Sequence, residues 1–231
     1  GGRCTLVSDS RYMGDSGDDP VFEEESCRSS KVIRLGEHQP SVAGRARFFA
    51  DKCGLPENLA RLEEFAGANH DEGKRDPRFQ AWLCGGSRLQ ALRYGSDLAK
   101  SVSIAASDDM RKKARELSGY PRGGRHELLS SRMLEAAGIP SGMDEDLLLH
   151  LVESHHGRCR PLAPEVEDSA GVMVTAKGKE IPCATGLEQI GSGVAERFWK
   201  LIRRYGWWGL PYLESILRLA DRRVSAEEDK E

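Results

Sequence analysis

The sequence lacks any apolar run that approaches the roughly 20 residues needed to span a membrane. It also lacks a recognisable secretory signal, and its start at Gly1-Gly2 indicates a domain excised from a longer protein. Aromatic residues make up only 6% of the chain, whereas Leu and Ala are frequent, which favours helices. We therefore expect a soluble, cytoplasmic, mainly helical protein that does not bind membranes.

The cysteines lack the spacing of a zinc ribbon or of a disulfide framework. Six of them are scattered along the chain without a C-x-x-C pair, so reduced thiols are expected. The length of 231 residues suits one sizeable domain.

The net charge is too small for a general polyanion binder, but it is unevenly distributed. The formal charge is -3, while residues 1–30 hold seven acids and three bases, and residues 227–231 hold four acids and one base. The body at 31–226 is therefore mildly basic, at +4, which is compatible with nucleic acid. We predict a polar linker or arm at 1–32, one domain at 33–226 and an acidic tail at 227–231.

Apolar periodicity predicts helices over most of the domain. Apolar residues recur at three- and four-residue steps between His38 and Cys53, which predicts a helix ended by Gly54. The other predicted helices end at Asp71, cover Pro77–Leu83 and Arg125–Ala137, run from Asp144 to His156, and follow Gly193 with an interruption at Gly206–Gly209 and a restart at Pro211.

Two segments depart from this helical pattern. Between residues 171 and 183, β-branched residues flank Lys177-Gly178 and predict a hairpin. Residues 87–121 combine helical stretches with Gly, Ser and many bases, and we expect them to form an excursion near the functional site. The predicted fold is mainly α, a helical bundle with one small β-hairpin near 171–183.

The candidate site centres on His70 and Asp71, which stand side by side at a predicted helix end. Neighbours on a helix point about 100° apart, whereas at a helix end two adjacent side chains can converge on an ion. A capped helix end explains the dipeptide equally well until the other histidines are considered. His38 extends an apolar helix face, and Asp221 lies inside another, where a buried carboxylate needs a partner such as a metal.

Imidazoles and carboxylates together are the ligand set of Fe, Mn, Co, Ni or Zn, whereas Mg and Ca prefer oxygen ligands. The candidates are too many for one four-ligand site. Two ions roughly 3.5–4 Å apart that share a carboxylate would use them all and suit phosphoryl chemistry. The candidate ligands are His38, His70, Asp71, His126, His155, His156 and Asp221.

Each candidate also has a structural interpretation. His38 could be a buried core histidine, and Asp221 could pair with an adjacent arginine. For His150 we favour a structural role, because it lies about 140° and 240° around the helix from the His155-His156 pair. For Trp207-Trp208 we favour packing between the last helices over stacking on nucleic-acid bases.

Five motifs resemble, in order, the HD nuclease domain of the CRISPR type I helicase-nuclease, within the HD superfamily of metal-dependent phosphohydrolases. The resemblance covers residues 33–226 and departs at Glu72, where that family commonly has an apolar residue. The motifs are LGEHQPSVAGRARFFADKCGL, HDEGKRDPRFQ, RHELLSS, HHGRCRP and GWWGLPYLESILRLADRR.

The resemblance implies an HD-domain bundle in which Asp71 bridges two divalent transition-metal ions, Mn, Ni, Co or Fe rather than Mg or Zn. Lys74 would face the scissile phosphate, and Arg158 and Arg160 could hold the strand. One site would be completed by His38, His70 and Asp221, and the other by His126, His155 and His156.

The implied function is hydrolysis of single-stranded DNA in CRISPR interference. The implied activity is that of an endonuclease, and exonuclease activity is a further option. The implied partners are a helicase, in the same or a partner chain, and an RNA-guided surveillance complex. This chain has no G-x-x-x-x-G-K-[ST] phosphate loop of its own. The alternatives are a nucleotide or cyclic-nucleotide phosphohydrolase, which needs a closed base pocket, and an interaction module with a decayed site.

Overall fold

A computed structural model describes residues 31–95, 97–102, 108–176 and 178–230. In these ranges the chain forms eight α-helices and one hairpin, which confirms the predicted mainly helical fold. The helices are α1 (Leu35–Lys52), α2 (Glu57–Asn69), α3 (Pro77–Leu83), α4 (Arg88–Arg93), α5 (Asp108–Ser118), α6 (His126–Ala137), α7 (Glu145–Ser154) and α8 (Val194–Glu228). Strands β1 (Met173–Ala176) and β2 (Lys179–Pro182) pair antiparallel.

The predicted terminal segments are described only in part. Of the polar arm at 1–32, residues 1–30 lie outside the described residues. At the other end α8 continues to Glu228, so the first two residues of the predicted acidic tail are helical, and Glu231 lies outside the described residues.

Four helices, α1, α2, α7 and α8, form most of the largest apolar core among the described residues, and α6 adds Leu134. The buried positions of α1, α2 and α8 recur every three or four residues, so each of these helices presents one apolar stripe. α7 differs, because every residue from Leu147 to Ser154 is buried. α1 and α2 run antiparallel, and the first turn of α1 therefore lies beside the end of α2. The core includes Val42, Ala46, Leu62, Ala66, Leu148, Leu151, Leu213 and Leu217.

The last long helix differs in detail from the prediction. α8 is broken at Gly206 alone, where φ is 76° and ψ is 174°, a conformation that favours glycine. Pro211 lies within the helix that follows and does not start it. The predicted packing is wrong for Trp208, which is 89% exposed. Trp207 is 64% exposed but contacts Trp199 across the break, with 5.9 Å between the ring centroids. Leu210 and Leu213 occupy the buried face of this helix instead.

Gly67 lets α1 and α2 approach closely. A Cβ atom at this position would lie 2.9 Å from the Cα atom of Ala43, closer than real contacts allow. His38 lies in the first turns of α1, and His70 follows directly on α2. The close crossing therefore brings these two histidines together, with 5.6 Å between their ring centroids.

Gly73 lets the 3₁₀ turn at Glu72–Arg75 pack closely against α6, as Gly67 does for α1 and α2. The amide of Gly73 donates to Ser130 Oγ at 2.8 Å, and that hydroxyl donates to the carbonyl oxygen of His126 at 3.0 Å. A Cβ atom at Gly73 would lie 2.0 Å from the same carbonyl oxygen. The turn that follows Asp71 thus lies directly against the start of α6.

We expect Gly73→Ala to lower the free energy of unfolding by at least about 2 kcal/mol, because the added methyl group collides with main-chain atoms that cannot rotate away. Equilibrium urea unfolding measures this change. The loss of packing should also move His126 away from Asp71 and weaken metal binding.

Gly44→Ala is the matched control, since a Cβ atom at Gly44 in α1 meets no atom within 4 Å. It should raise the free energy of unfolding by about 0.5–1 kcal/mol through helix propensity alone. Equal urea midpoints for Gly73→Ala and the unsubstituted protein would show that the contact with α6 is not as described.

Candidate metal centre

The predicted ligands lie on five separate helices or at their ends, and the fold brings them together. His70 and Asp71 directly follow α2, and His155 and His156 directly follow α7. His126 is the first residue of α6. Helix ends suit this arrangement, because adjacent residues there can point towards one centre. The remaining two predicted ligands are His38 in α1 and Asp221 in α8.

The carboxylate of Asp71 is the centre of the cluster and is only 1% exposed. Its Oδ1 atom lies 3.0 Å from Nε2 of His126 and 3.7 Å from Nε2 of His155. Its Oδ2 atom lies 3.4 Å from Nε2 of His70 and 3.7 Å from Nε2 of His38. The two oxygens therefore face two different pairs of imidazoles.

Each of these two pairs of imidazoles has one further predicted ligand beside it, which is Asp221 for one pair and His156 for the other. Oδ1 of Asp221 lies 3.2 Å from Nε2 of His38 and 3.8 Å from Nε2 of His70. The ring centroid of His156 lies 4.1 Å from that of His155 and 5.1 Å from that of His126. The structure thus places Asp221 with one pair and His156 with the other.

Two groups of donor atoms could hold a metal ion, with all atoms of a group within 4.8 Å of one another. Ligand atoms about 2.1 Å from a shared ion lie roughly 3 to 4.2 Å apart, so the spacing fits. One group consists of Asp71, His126, His155 and His156, and the other of His38, His70 and Asp71.

The hydrogen bonds of the histidines support this fit. Nδ1 of His70 donates to the carbonyl oxygen of Gly67 at 2.8 Å, and Nδ1 of His155 donates to that of Val152 at 2.7 Å. A carbonyl oxygen only accepts, so the proton lies on Nδ1 and Nε2 presents its lone pair inwards. These Nε2 atoms, and that of His126, are buried without a hydrogen-bond partner among the described residues.

A buried acceptor without a donor costs about 1–3 kcal/mol. The cluster concentrates three such nitrogens, and Oδ1 of Asp71 also lacks a hydrogen-bond partner among the described residues. A cation in each of the two groups would satisfy these four atoms. The donor set, nitrogen and carboxylate oxygen, fits a transition-metal ion.

Lys74 is buried and supplies a cation of the chain itself. Its Nζ atom lies 2.7 Å from Oδ2 of Asp71 and donates to the carbonyl oxygen of Ala99 at 3.2 Å. Burial opposes ionisation of Asp71, but His70 and Lys74 hold its pKa well below the usual range. Asp71 is therefore a carboxylate at neutral pH.

Asp221 and His38 show the same competition between burial and charge. Burial opposes ionisation of Asp221, but the nearby imidazoles of His38 and His70 hold its pKa well below the usual range. Burial also lowers the pKa of His38, but hydrogen bonds to Asp221 and Glu228 outweigh it and raise that pKa to about 9. Without an ion, His38 is protonated at neutral pH.

The rim beside His156 is basic. His156 is half-buried, whereas the other predicted ligands are buried. Arg158 and Arg160 follow it and are exposed, and Nε of Arg160 lies 3.0 Å from Glu214. Sequence reasoning missed Arg218, which lies so close to Gly157 that a Cβ atom there would be 2.9 Å from its Nη1 atom.

Two further acids near the cluster were also missed. Oε2 of the buried Glu127 lies 3.4 Å from Nδ1 of His126. Burial raises the pKa of Glu127, but His126 and His156 outweigh it and bring the pKa to about 2. Its place directly after His126 is a signal that could have found it. Glu228 contacts His38 across 190 residues, and no local pattern indicates that contact.

His150 and Glu72 lie outside both groups of donor atoms. Nε2 of His150 lies 2.7 Å from Oε1 of Glu214, and the side chain is fully buried. Glu72, the residue that departs from the family pattern, accepts a hydrogen bond from Arg75 at 2.8 Å.

Comparisons of the chain with protein-family models, with curated proteins and with solved structures found no match. Among the described residues, none of the helices has the length and apolar character needed to cross a membrane.

We expect Asp71→Ala to weaken metal binding by more than about 100-fold, since even changes outside the ligand set cost about 10- to 100-fold. It removes a donor atom from both groups. Metal content per chain after dialysis, measured by mass spectrometry, reports this loss, and circular dichroism checks that the helices remain.

His150→Ala is the control, because it removes an equally buried histidine that belongs to neither group. Its metal content should equal that of the unsubstituted protein. The ligand assignment is wrong if His150→Ala empties a site while Asp71→Ala keeps its metal.

Metal binding should release protons at neutral pH. An imidazole must be deprotonated to bind a metal, and the pKa of His38 is raised to about 9 without one. Protonated His38 stabilises the metal-free protein fully below its ordinary pKa near 6.5, and this contribution is lost as the pH rises through about 9. Metal affinity should therefore increase with pH up to about 9. Calorimetry in buffers of different ionisation enthalpy measures the protons released, and a pH-independent affinity would contradict the argument.

Proposed function

We propose that this chain is a metal-dependent phosphodiesterase. The observation that carries the proposal is the buried carboxylate of Asp71, whose two oxygens each face a separate pair of histidine nitrogens. More specifically, we propose an HD-type nuclease that cleaves single-stranded DNA in CRISPR interference. The five motifs shared with that nuclease domain support this more specific assignment.

Two divalent transition-metal ions, Mn, Ni, Co or Fe, would polarise a phosphoryl oxygen and supply hydroxide when bound. Asp71 would bridge both groups of ligands. His38, His70 and Asp221 would hold one ion, and His126, His155 and His156 the other. The contact between Lys74 and Asp71 supports a role for Lys74 in keeping that carboxylate ionised and in placing positive charge near the scissile phosphate.

The rim of the cluster supports an anionic, extended substrate. The donor atoms are buried except at the half-buried His156, and the exposed Arg158, Arg160 and Arg218 lie on the segments beside it. Arginine side chains bind phosphate oxygens well, because the guanidinium group matches their geometry. A flexible single strand can bring a phosphate down to recessed ligands, whereas a rigid duplex cannot.

The single strand would be supplied by a helicase, in the same or a partner chain, recruited by an RNA-guided surveillance complex in the cytoplasm. The motif resemblance is the support for these partners. Endonuclease activity is the primary proposal, with exonuclease activity on the ends that it creates.

The test is a cleavage assay on metal-stripped protein resupplied separately with Mn, Ni, Co, Fe, Zn, Mg or Ca. The substrates are circular single-stranded DNA, duplex DNA, RNA and a nucleotide panel. We expect cleavage of the circular single strand with Mn, Ni, Co or Fe, because imidazole-rich ligand sets discriminate against Mg and Ca. A circle has no ends, so its cleavage demonstrates endonuclease activity.

Asp71→Ala is the inactive control and His150→Ala the active one. Equal activity with Mg alone, and no detectable transition-metal binding, would count against the two-ion arrangement. Hydrolysis of a nucleotide without cleavage of the single strand would replace the nuclease by an HD phosphohydrolase of small molecules.

A further inference from the structure

We propose that Glu228, held in place by Lys100, is a positioning residue that orients His38 towards the metal centre. This inference rests on the proposed metal-dependent function. It assigns a role to the end of α8, which the sequence alone indicated to be part of an acidic tail.

The contact between His38 and Glu228 fixes the orientation of the imidazole ring and the direction in which each ring nitrogen points. Nδ1 of His38 lies 3.0 Å from Oε1 and 3.2 Å from Oε2 of Glu228. A carboxylate only accepts hydrogen bonds, so Nδ1 is the donor. Nε2 then points the other way, to within 3.2 Å of Asp221 and 3.7 Å of Asp71. The ring is held in the orientation that a ligand histidine needs.

His38 differs in this respect from two of the other histidines. His70 and His155 donate from Nδ1 to the carbonyl oxygens of Gly67 and Val152, each three residues earlier in the same turn. Local helix geometry is sufficient to orient those two rings. His38 instead depends on a side chain 190 residues away.

Lys100 fixes Glu228 and the end of α8. Its side chain is 1% exposed, and its Nζ atom lies 3.2 Å from Oε2 of Glu228 and 3.1 Å from Oδ1 of Asp229. The same atom donates to the carbonyl oxygen of Ser225 at 2.9 Å. A buried lysine with three acceptors leaves the carboxylate of Glu228 little freedom to turn away from His38.

The segment that carries Lys100 is itself anchored to the start of α1. The amide of Leu35 donates to the carbonyl oxygen of Asp97, and the amide of Ala99 donates to that of Ile33, both at 2.9 Å. The carbonyl oxygen of Ala99 also accepts from Lys74. The adjacent residues Ala99 and Lys100 thus contact Lys74 and Glu228, respectively.

A carboxylate that accepts from the outer nitrogen of a ligand histidine fixes its tautomer and increases its basicity, and losing such a partner typically costs about 10- to 100-fold in metal affinity. Glu228→Gln keeps the shape of the side chain and removes the charge. We expect it to weaken the binding of one Mn ion by about 10- to 100-fold, measured by isothermal titration calorimetry. Binding of the other ion should be unchanged.

Glu227→Gln is the matched control. Glu227 is the neighbouring acid in α8, and it pairs with Arg45 and Arg223 rather than with a histidine. Its Mn affinity should equal that of the unsubstituted protein. Thermal unfolding of both variants shows whether the end of α8 stays folded.

A double-substitution cycle separates positioning from a general structural role. If Glu228 acts through His38, the effect of Glu228→Gln on metal affinity should disappear in a His38→Ala background. An equal loss of affinity with and without His38 would overturn the proposal.

Nuclear magnetic resonance of the metal-free protein keeps this test independent of the proposed function. The Nδ1–H proton of His38, assigned by its loss in His38→Ala, should give a downfield signal that moves upfield in Glu228→Gln and stays in place in Glu227→Gln. If the protein binds no metal but the signal behaves in this way, the proposed function fails while the role of Glu228 in orienting His38 stands. If Glu228→Gln leaves the signal unmoved, the positioning role is refuted whatever the metal content.

Discussion

A carboxylate removed from water must be compensated by positive charge, and the buried side chain of Asp71 imposes this requirement on the rest of the structure. Four imidazole nitrogens and the ammonium group of Lys74 lie within 2.7 to 3.7 Å of its two oxygens. They come from five separate elements of the chain, which are α1, the end of α2, the 3₁₀ turn at Glu72–Arg75, α6 and the end of α7. The packing of these elements against one another therefore positions all five groups around one carboxylate.

Close main-chain contacts make this packing of the elements around Asp71 possible. At Gly67 and Gly73 there is no space for a Cβ atom against Ala43 and His126. A methyl group at either glycine would push apart two elements that carry ligand histidines. Rigid positioning of this kind matters for a metal centre, because ligand atoms must converge on an ion within a few tenths of an ångström.

The cluster and its rim differ in a way that supports the proposed nuclease function. The donor atoms of the centre are recessed, and Arg158, Arg160 and Arg218 lie beside the half-buried His156. Recessed ligands would keep a low local dielectric around bound ions, which would strengthen the charge interactions there. An exposed basic rim attracts a phosphate backbone without adding charge to the core.

The sequence by itself determined the class of fold and the set of residues in the cluster. Apolar patterning and helix-end residues predicted α1, α2, α6 and α7 to within a few residues. α1 and α2 each bury one stripe of side chains, whereas α6 and α7 are buried over most of their length. Histidines beside apolar stripes predicted the cluster, because buried imidazoles and carboxylates need partners. Tertiary structure alone decided which oxygen of Asp71 faces which histidines, that Trp208 faces solvent, that Glu228 reaches His38 and that Lys100 reaches Glu228. Periodicity reports which face of a helix is buried, but contacts between residues 190 positions apart depend on how the helices cross.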